Sequence, residues 1–251
     1  MRIAALYDVH GNLPALEAVL AEVERERVDL IVFGGDIVAG PFPRETYAAY
    51  RGLGERALAL RGNVERAILE IHRGEREPRE GAAGDPWVVA RLSGDEVETL
   101  GALPEQLRLE VDGLGPVCFV HATVRDDEEL FTEETPDDVV AAMFAGADTG
   151  VVVCGHTHMQ VDRRVGGVRI VNAGSVGMPY EALPGAYWAL LGPDVELRRT
   201  DYDLTAASAL VAVLDWPRAE EFVRENLLTV PTRAEAIDVF ERQAGRRAGS
   251  G

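Results

Sequence analysis

The chain has 251 residues and a formal net charge of −18 at pH 7. This length suits one α/β domain with insertions or two small domains, and the acidic balance argues against long nucleic acids as partners, because lysine and arginine bind their phosphates. No apolar run approaches the roughly 20 residues that span a bilayer, and no signal-peptide pattern opens the chain, so we expect a cytoplasmic protein without a membrane partner. The two cysteines, Cys118 and Cys154, lie in apolar runs, which predicts buried thiols rather than a disulfide.

The chain opens with a pattern of strand, polar loop and helix. The apolar run in residues 2–7 predicts a buried strand that leads into Asp8 and His10. Apolar residues then recur at helical spacing over residues 13–26, with Asn12 as the cap. Because Asp8 and His10 are two residues apart on an extended run, we expect their side chains to point in the same direction.

Two further apolar runs lead into polar residues of the same kind. The run at residues 30–33 precedes Gly35-Asp36, and the run at residues 58–60 precedes Gly62-Asn63. A helix is predicted between them, over residues 45–52. This alternation predicts right-handed crossovers and a largely parallel sheet, in which binding sites form beyond the carboxyl ends of the strands.

The second half of the chain places histidines after its predicted strands. A hairpin over residues 107–120 precedes His121, and the run Val151–Cys154 precedes Gly155-His156-Thr157-His158. The other predicted elements are helices within residues 64–107, interrupted by a glycine-rich break at 81–84, a helix at 136–144, hairpins at 161–171 and 186–203, and helices at 205–214, 218–227 and 232–243.

The residues after these runs form a set of metal-ligating types: Asp8, His10, Asp36, Asn63, His121, His156 and His158. A mixture of carboxylate, amide and imidazole ligands suits Mn, Fe or Zn better than a calcium cage or a thiolate site. The set is too large for one first-row ion, and a shared carboxylate would let it serve two ions about 3.5 to 4 Å apart. Such a pair of ions suits in-line displacement at phosphorus.

The order of these motifs resembles that of the calcineurin-like metallophosphoesterase family. Residues 8–16 and 172–175 are similar to its small bacterial phosphodiesterase-like branch, and the resemblance covers residues 1–203. It implies a four-layer αββα sandwich, an α/β fold with two central mixed β-sheets. We expect residues 1–203 to form the metallophosphoesterase domain with a helical insertion at about 64–107, a C-terminal helical extension at 204–245 packed on the same domain, and a frayed tail at 246–251.

The resemblance also implies a role for each ligand. One divalent ion would be held by Asp8, His10 and His158, the other by Asn63, His121 and His156, and Asp36 would bridge the two. Asp36, Asn63 and His121 would thereby position the phosphate and a metal-activated hydroxide. Mn is the favoured metal, and Fe, Zn, Ni and Mg are the alternatives.

One position departs from the family pattern. Many members carry a histidine directly after the ligand asparagine, where it protonates the leaving group, and then an acidic residue that orients the histidine. Here Val64 and Glu65 occupy these positions, and a valine cannot transfer a proton. His72, two helical turns beyond Val64, is a candidate substitute donor, and the alternative is an ordinary partly buried surface residue.

Three residues are candidates for substrate contact. Arg125, shortly after His121, could grip a phosphate through its guanidinium group, and the alternative is a surface ion pair with Asp126 or Asp127. Tyr180 could stack on a base or an aromatic leaving group. Phe42, in a proline-rich loop, could form a wall of the pocket, and the alternative is simple packing.

Together these residues predict a dinuclear metal-dependent phosphoesterase for a small soluble ester. A nucleotide-like ester is one option, since its base could stack on Tyr180. The missing proton donor favours a phosphodiester. The alternatives within the family are a phosphomonoesterase, a dinucleoside polyphosphate hydrolase and a protein phosphatase. An alternative of another class is a non-catalytic metal-binding scaffold protein, and a homo-oligomer is compatible with all of these.

Overall fold

Two five-stranded β-sheets pack face to face in the computed structural model, which describes residues 1–81 and 83–247. The strands of the first sheet lie within residues 3–59 and 186–200, and those of the second sheet lie within residues 106–173. In chain order the strands are β1 (Ile3–Leu6), β2 (Leu30–Phe33), β3 (Ala57–Ala59), β4 (Gln106–Val111), β5 (Gly115–Val120), β6 (Val151–Cys154), β7 (Gln160–Val165), β8 (Val168–Ala173), β9 (Ala186–Leu191) and β10 (Val195–Thr200).

Helices cover the outer faces of both sheets. In chain order they are α1 (Leu13–Glu26), α2 (Pro43–Gly52), a 3-10 turn (Gly54–Arg56), α3 (Asn63–His72), α4 (Pro86–Val89), α5 (Gly94–Gly101), α6 (Asp137–Met143), α7 (Leu204–Ala212), α8 (Ala219–Phe222), a π-helical turn (Val223–Leu228) and α9 (Arg233–Gln243). Across residues 1–81 and 83–247, none of these helices combines the length and the hydropathy that crossing a lipid bilayer would require.

Both sheets mix parallel and antiparallel strands. The strand order is β10-β9-β1-β2-β3 in the first sheet and β4-β5-β6-β8-β7 in the second. In the first sheet the parallel strands β1, β2 and β3 form one side, and the hairpin β9–β10 adds the antiparallel side through β1. In the second sheet the parallel strands β5, β6 and β8 lie in the middle, and the hairpins β4–β5 and β7–β8 supply antiparallel edges. The mixed sandwich implied by the resemblance is therefore confirmed, whereas the prediction of a largely parallel sheet is wrong, because short turns join the later strands directly.

Alternation along the strands assigns side chains to the layers. Ile3 and Ala5 of β1 belong to the buried cluster between the two sheets, whereas Ala4 and Leu6 pack towards the helices. In β5, Phe119 points between the sheets and Cys118 points towards α6. Because both faces of each central strand are covered, these strands are apolar at nearly every position. Cys118 and Cys154 are buried free thiols, as predicted.

The C-terminal helices pack against the edge of the sandwich that carries the polar loops. Phe222 and Trp216 join an apolar cluster with Phe42, and Ile237 of α9 packs with Met159, one residue beyond His158. The domain division drawn from the sequence stays a prediction. Of the tail predicted as frayed at 246–251, Arg246 and Arg247 form ion pairs with acidic residues, and residues 248–251 lie outside the described part of the chain.

A buried carboxylate fastens α9 to the sandwich. Glu241 accepts hydrogen bonds of 2.7 Å from the hydroxyls of Thr132 and Thr135 and one of 2.6 Å from the Arg246 guanidinium. Burial alone raises the pKa of Glu241, but the hydrogen bonds from Arg246, Thr135 and Thr132 outweigh it and lower the pKa to about 2. The charged form of Glu241 therefore stabilises the folded chain.

We expect Glu241→Gln to lower the free energy of unfolding by about 2 kcal/mol at pH 7. Since the pKa of Glu241 is depressed on folding, its contribution is complete above the unfolded value of about 4.3 and is lost as the pH falls towards about 2. Urea unfolding at pH 7, 4 and 3 measures the difference, with Glu17→Gln on the exposed face of α1 as the control. A difference that does not shrink between pH 7 and pH 3 would contradict this assignment.

Candidate metal centre

All seven predicted ligands lie at one edge of the sandwich. Asp8, Asp36 and Asn63 follow β1, β2 and β3, which run parallel, so their carboxyl ends meet at this edge. His121 follows β5, and the double-histidine loop follows β6, which is parallel to β5. The carboxyl ends of the two sheets thus face one another, and the structure brings together the residues that the sequence pattern singled out.

The ligand loops have a left-handed backbone. Asp8 and His10 have φ angles of 52° and 46°, and β1 ends at Leu6, so the prediction that these two residues lie on an extended run is wrong. Their side chains converge because the chain turns sharply. Among the described non-glycine residues, positive φ occurs at Asp8, His10, Asp36, His156 and His158, and elsewhere only at Arg27 and Asp148. Such strain costs roughly 1 to 3 kcal/mol per residue and concentrates at functional sites.

The first ligand cluster consists of Asp8, His10 and His158. Their candidate ligand atoms lie within 4.8 Å of one another. The Nε2 atoms of His10 and His158 are 3.0 Å apart, and Asp8 Oδ1 lies 3.4 Å from His158 Nε2 and 3.9 Å from His10 Nε2. All three residues are buried. This arrangement presents two nitrogens and one oxygen to a common point.

The second cluster consists of Asp36, His121 and His156, again within 4.8 Å. His121 Nε2 lies 3.6 Å from Asp36 Oδ1 and 2.9 Å from Asn63 Oδ1, which adds an amide oxygen to the cluster. The other carboxylate oxygen, Asp36 Oδ2, lies 3.8 Å from His10 Nε2 in the first cluster. Asp36 therefore faces both clusters, as a bridging ligand would.

Hydrogen bonds fix the imidazoles in one tautomer. The Nδ1 atoms of His10, His121 and His158 lie 3.3, 2.8 and 2.7 Å from the backbone oxygens of Ala39, Gly34 and Met178. A carbonyl oxygen can only accept, so each Nδ1 donates, and in the neutral ring Nε2 then keeps a free lone pair. Histidines that bind metals are oriented in this way.

The pKa shifts of two of the imidazoles suit a divalent cation. Burial lowers the pKa of both His10 and His156 to about 3, so both imidazoles are neutral and able to bind a metal. Burial raises the pKa of Asp36 to about 8. For Asp8, burial acts in the same direction, but the facing histidines, His158 foremost, outweigh it and lower the pKa of Asp8 below its usual range.

One buried oxygen of the first ligand cluster is left without a hydrogen-bond partner. Asp8 Oδ1 is inaccessible to solvent and has no hydrogen-bond donor among the described residues. An unpaired carboxylate oxygen in an interior is unfavourable unless a cation compensates it. With nitrogens of His10 and His158 around it, this oxygen fits a divalent metal. The donor atoms present therefore suit such a metal independently of the family resemblance.

Two glycines let the loops approach the ligands closely. A Cβ atom on Gly62 would lie 2.2 Å from Asp36 Oδ1, and one on Gly155 would lie 2.4 Å from Asp8 Oδ2. Both distances are far below van der Waals contact. The glycines of Gly62-Asn63 and Gly155-His156 are therefore required by the packing of the two carboxylates.

Glu65 is a functional residue whose role the sequence analysis missed. Its side chain is fully buried and accepts hydrogen bonds from the backbone amides of Asp36, Ile37 and Gly62 at 2.8, 2.8 and 3.0 Å. It thus ties the Asp36 loop to the Asn63 loop. The bond to Gly62 was foreseeable, since a glutamate at the third helical position often reaches back to the helix start, but the two bonds across the fold were not.

A cavity of about 420 Å³ opens beside His121. Arg61, Arg66 and Arg125 line it, and each guanidinium is already paired. Arg61 binds Glu105 at 2.6 Å, Arg66 binds Asp127 at 2.8 Å, and Arg125 binds Glu129 at 2.5 Å. Arg125 thus lines the cavity and forms an ion pair, although its partner is neither Asp126 nor Asp127, and its contact with substrate stays a prediction. Arg66 was not predicted.

The other predicted contacts lie elsewhere. His72 ends α3, nine residues and roughly 14 Å of helix axis beyond Asn63, and it is exposed near Gly94. Phe42 lines a separate groove with Trp87 and packs on the C-terminal helices, which agrees with the packing alternative. Tyr180 lies against His158, with ring centroids 4.9 Å apart. The structure therefore brings Tyr180, but neither His72 nor Phe42, to the ligands.

Comparison with known proteins agrees with this geometry. A family model described as the calcineurin-like phosphoesterase superfamily domain matches residues 1–192. The chain belongs to this superfamily. The family predicted from the motif order is thereby confirmed, and with it a metal-binding phosphoesterase domain. The role of each ligand stays a prediction.

Three similar proteins cover most of this calcineurin-like chain. An uncharacterized protein of Methanocaldococcus jannaschii is 26% identical over 226 residues, which are 82% of this chain and 89% of that protein. A metallophosphoesterase from Sphaerobacter thermophilus has a TM-score of 0.70 at 28% identity, covering 94% of this chain and all (100%) of that one. A hypothetical protein from Pyrococcus horikoshii has a TM-score of 0.77 at 20% identity, covering 92% and 99%, and it shows the shared fold alone.

Proposed function

We propose that this chain is a phosphoesterase that uses two divalent ions and favours phosphodiesters. The observation that carries the proposal is the pair of ligand clusters that meet at Asp36, with the unpaired Asp8 Oδ1 in one of them. Two bound ions would supply Lewis acidity at the phosphoryl group and lower the pKa of a water molecule. Mn is the favoured metal for the mixed nitrogen and oxygen ligands, with Fe, Zn, Ni or Mg as alternatives.

The chain's own residues prepare the site for these ions. Asp8, His10 and His158 would hold one of them, and Asn63, His121 and His156 the other, while Asp36 would bridge. The backbone amide of Val64 donates to Asp36 Oδ1 at 3.0 Å, and the backbone amide of Asp36 donates to Glu65 at 2.8 Å. The bridging carboxylate is therefore fixed before any ligand binds. Fixed ligands keep the cost of reorganisation during the reaction low.

The preference for diesters is supported by Val64 and by the cavity. Val64 is 3% exposed and packs in the core, so no proton donor stands at the position after Asn63. Esters with poor leaving groups should therefore react slowly. The paired guanidinium groups in the cavity beside His121 leave little free positive charge for a monoester dianion, whereas a diester carries a single negative charge.

The assay compares two nitrophenyl esters. Metal-stripped protein refilled with Mn should hydrolyse bis(p-nitrophenyl) phosphate with a higher kcat/KM than p-nitrophenyl phosphate. Among aryl and alkyl diesters, the rate should fall steeply as the pKa of the leaving alcohol rises, because the alcohol departs unprotonated. Equal rates for aryl and alkyl diesters would show that a donor is present. Hydrolysis of neither nitrophenyl ester, with metal bound, would contradict the proposed activity.

The alternatives make different predictions in this assay. A phosphomonoesterase would prefer p-nitrophenyl phosphate, and a dinucleoside polyphosphate hydrolase or a protein phosphatase would cleave its own substrate faster than either ester. A non-catalytic scaffold would bind metal and hydrolyse nothing. Such a scaffold would be free to lose ligands, and the retention of all seven favours the enzyme. The cytoplasmic location and a homo-oligomeric state stay predictions.

A further inference from the structure

A row of aromatic rings connects α9 to the first ligand cluster. Phe240 of α9 lies 5.8 Å from Tyr180, Tyr180 lies 4.9 Å from His158, and His158 lies 4.8 Å from His10, all measured between ring centroids. The last two members are predicted metal ligands. The first member lies in a helix that begins 41 residues beyond the family match, which ends at residue 192. The row therefore runs from a part of the chain outside the matched domain into the centre of the site.

The helix that begins this row is fixed at both ends. At its start, Arg233 donates to the backbone oxygen of Gln160 at 3.1 Å and to Glu181 at 2.8 Å. Gln160 is two residues beyond His158, and Glu181 is the neighbour of Tyr180. Near its end, Glu241 is held by Thr132, Thr135 and Arg246, as described above. Phe240 is thus presented to Tyr180 by a helix that cannot shift freely.

Contact with Tyr180 restricts the imidazole of His158 in a way that hydrogen bonding does not. The bond from Nδ1 to the Met178 oxygen, at 2.7 Å, fixes one edge of the ring but allows the ring to tilt about that bond. Tyr180 lies against its face, at an interplanar angle of 31°, and its backbone amide donates to the His158 oxygen at 3.1 Å. Together the two constraints aim Nε2 at Asp8 Oδ1, 3.4 Å away.

The second cluster is supported differently. His121 and His156 contact each other, with centroids 5.1 Å apart, and His121 is held by Gly34 and Asn63. The hydrogen-bond partners of His121 come from the loops after β2 and β3. A substitution in α9 should therefore change the affinity of the ion site formed by Asp8, His10 and His158 and leave the affinity of the other site unchanged.

We propose that Phe240 and Tyr180 are positioning residues through which the C-terminal helix α9 sets the affinity of the ion held by Asp8, His10 and His158. This inference rests on the two-ion site proposed above and is independent of the substrate. It gives the C-terminal extension a role in metal binding. Residues that orient metal-binding histidines typically change affinity by about ten- to a hundredfold when they are replaced.

The test measures Mn binding to the metal-stripped full chain by calorimetry. In the wild type we expect two dissociation constants. Phe240→Ala should raise one of them about tenfold and leave the other unchanged, and Tyr180→Ala should have a similar effect. Phe240→Tyr and Tyr180→Phe, which keep the rings, should bind like the wild type. Val239→Ala, at a 41% exposed position of the same helix, is the matched control.

A His158→Ala background identifies the ion concerned. In that background Phe240→Ala should have no further effect on the remaining ion. Constants that are both unchanged, or both raised alike, in Phe240→Ala would overturn the inference, since a merely structural role affects both sites or neither. Phe240→Leu replaces the alanine variant if the latter does not fold. Binding of fewer than two ions by the wild type would overturn the proposed two-ion site as well.

Discussion

Asp36→Asn should reduce kcat for bis(p-nitrophenyl) phosphate at least about a thousandfold, because it removes the carboxylate that faces both ligand clusters. Asp36 Oδ1 lies 3.6 Å from His121 Nε2, and Oδ2 lies 3.8 Å from His10 Nε2. An amide offers one oxygen and no charge, so it can serve at most one ion. Steady-state kinetics and the metal content of the purified variant measure the effect together.

Asp148→Asn is the matched control for this substitution. Asp148 has the same φ of 52° as Asp36 but is exposed, so the same chemical change is made in the same left-handed conformation. Asparagine tolerates that conformation. We expect this control to keep wild-type activity. Asp36→Asn protein that binds two ions and turns over at the wild-type rate would rule out a bridging role for Asp36.

Glu65→Gln should lower the free energy of unfolding by about 3 kcal/mol. The carboxylate accepts from the amides of Asp36, Ile37 and Gly62, and the NH2 group of a glutamine would face at least one of these donors. Activity should fall as well, since these bonds fix the loops that carry Asp36 and Asn63. Urea unfolding and kcat are the two measurements.

The control for Glu65 lies on the same helix. Glu70 of α3 is 28% exposed and pairs with Arg66 and Arg76, so Glu70→Gln removes only surface ion pairs and should cost less than about 1 kcal/mol. If the two variants were equally stable, the buried bonds of Glu65 would contribute no more than a surface pair. That outcome would mean that Gly62 and the strands alone hold the loops that carry Asp36 and Asn63.

Elements defined by local pattern were predictable from the sequence. The apolar periodicity of residues 13–26 and the cap at Asn12 gave α1 with the bounds that the structure shows. The bounds of β2 also agree, because a short apolar run between polar residues leaves little choice of register. The four-layer sandwich was implied only by the family resemblance. The local sequence pattern by itself suggested a largely parallel sheet.

Features that depend on distant contacts were not predictable. The left-handed backbone of Asp8 and His10 results from loops that meet at the sheet edge, so alternation along a strand was the wrong guide. The placement of Phe42 in another groove follows from the packing of α7 and α8, which no local pattern reveals. The row from Phe240 to His158 joins residues 82 positions apart in the chain.

Stepwise addition of Mn to the metal-stripped chain, with bound metal and hydrolysis of bis(p-nitrophenyl) phosphate recorded in parallel, tests the central claim most directly. Two ligand clusters that share Asp36 predict two ions per chain. Hydrolysis should rise with the second equivalent and stop rising after it, because both ions are needed at the phosphoryl group. Full activity at one ion per chain, or two bound ions without any hydrolysis, would contradict a two-ion phosphoesterase.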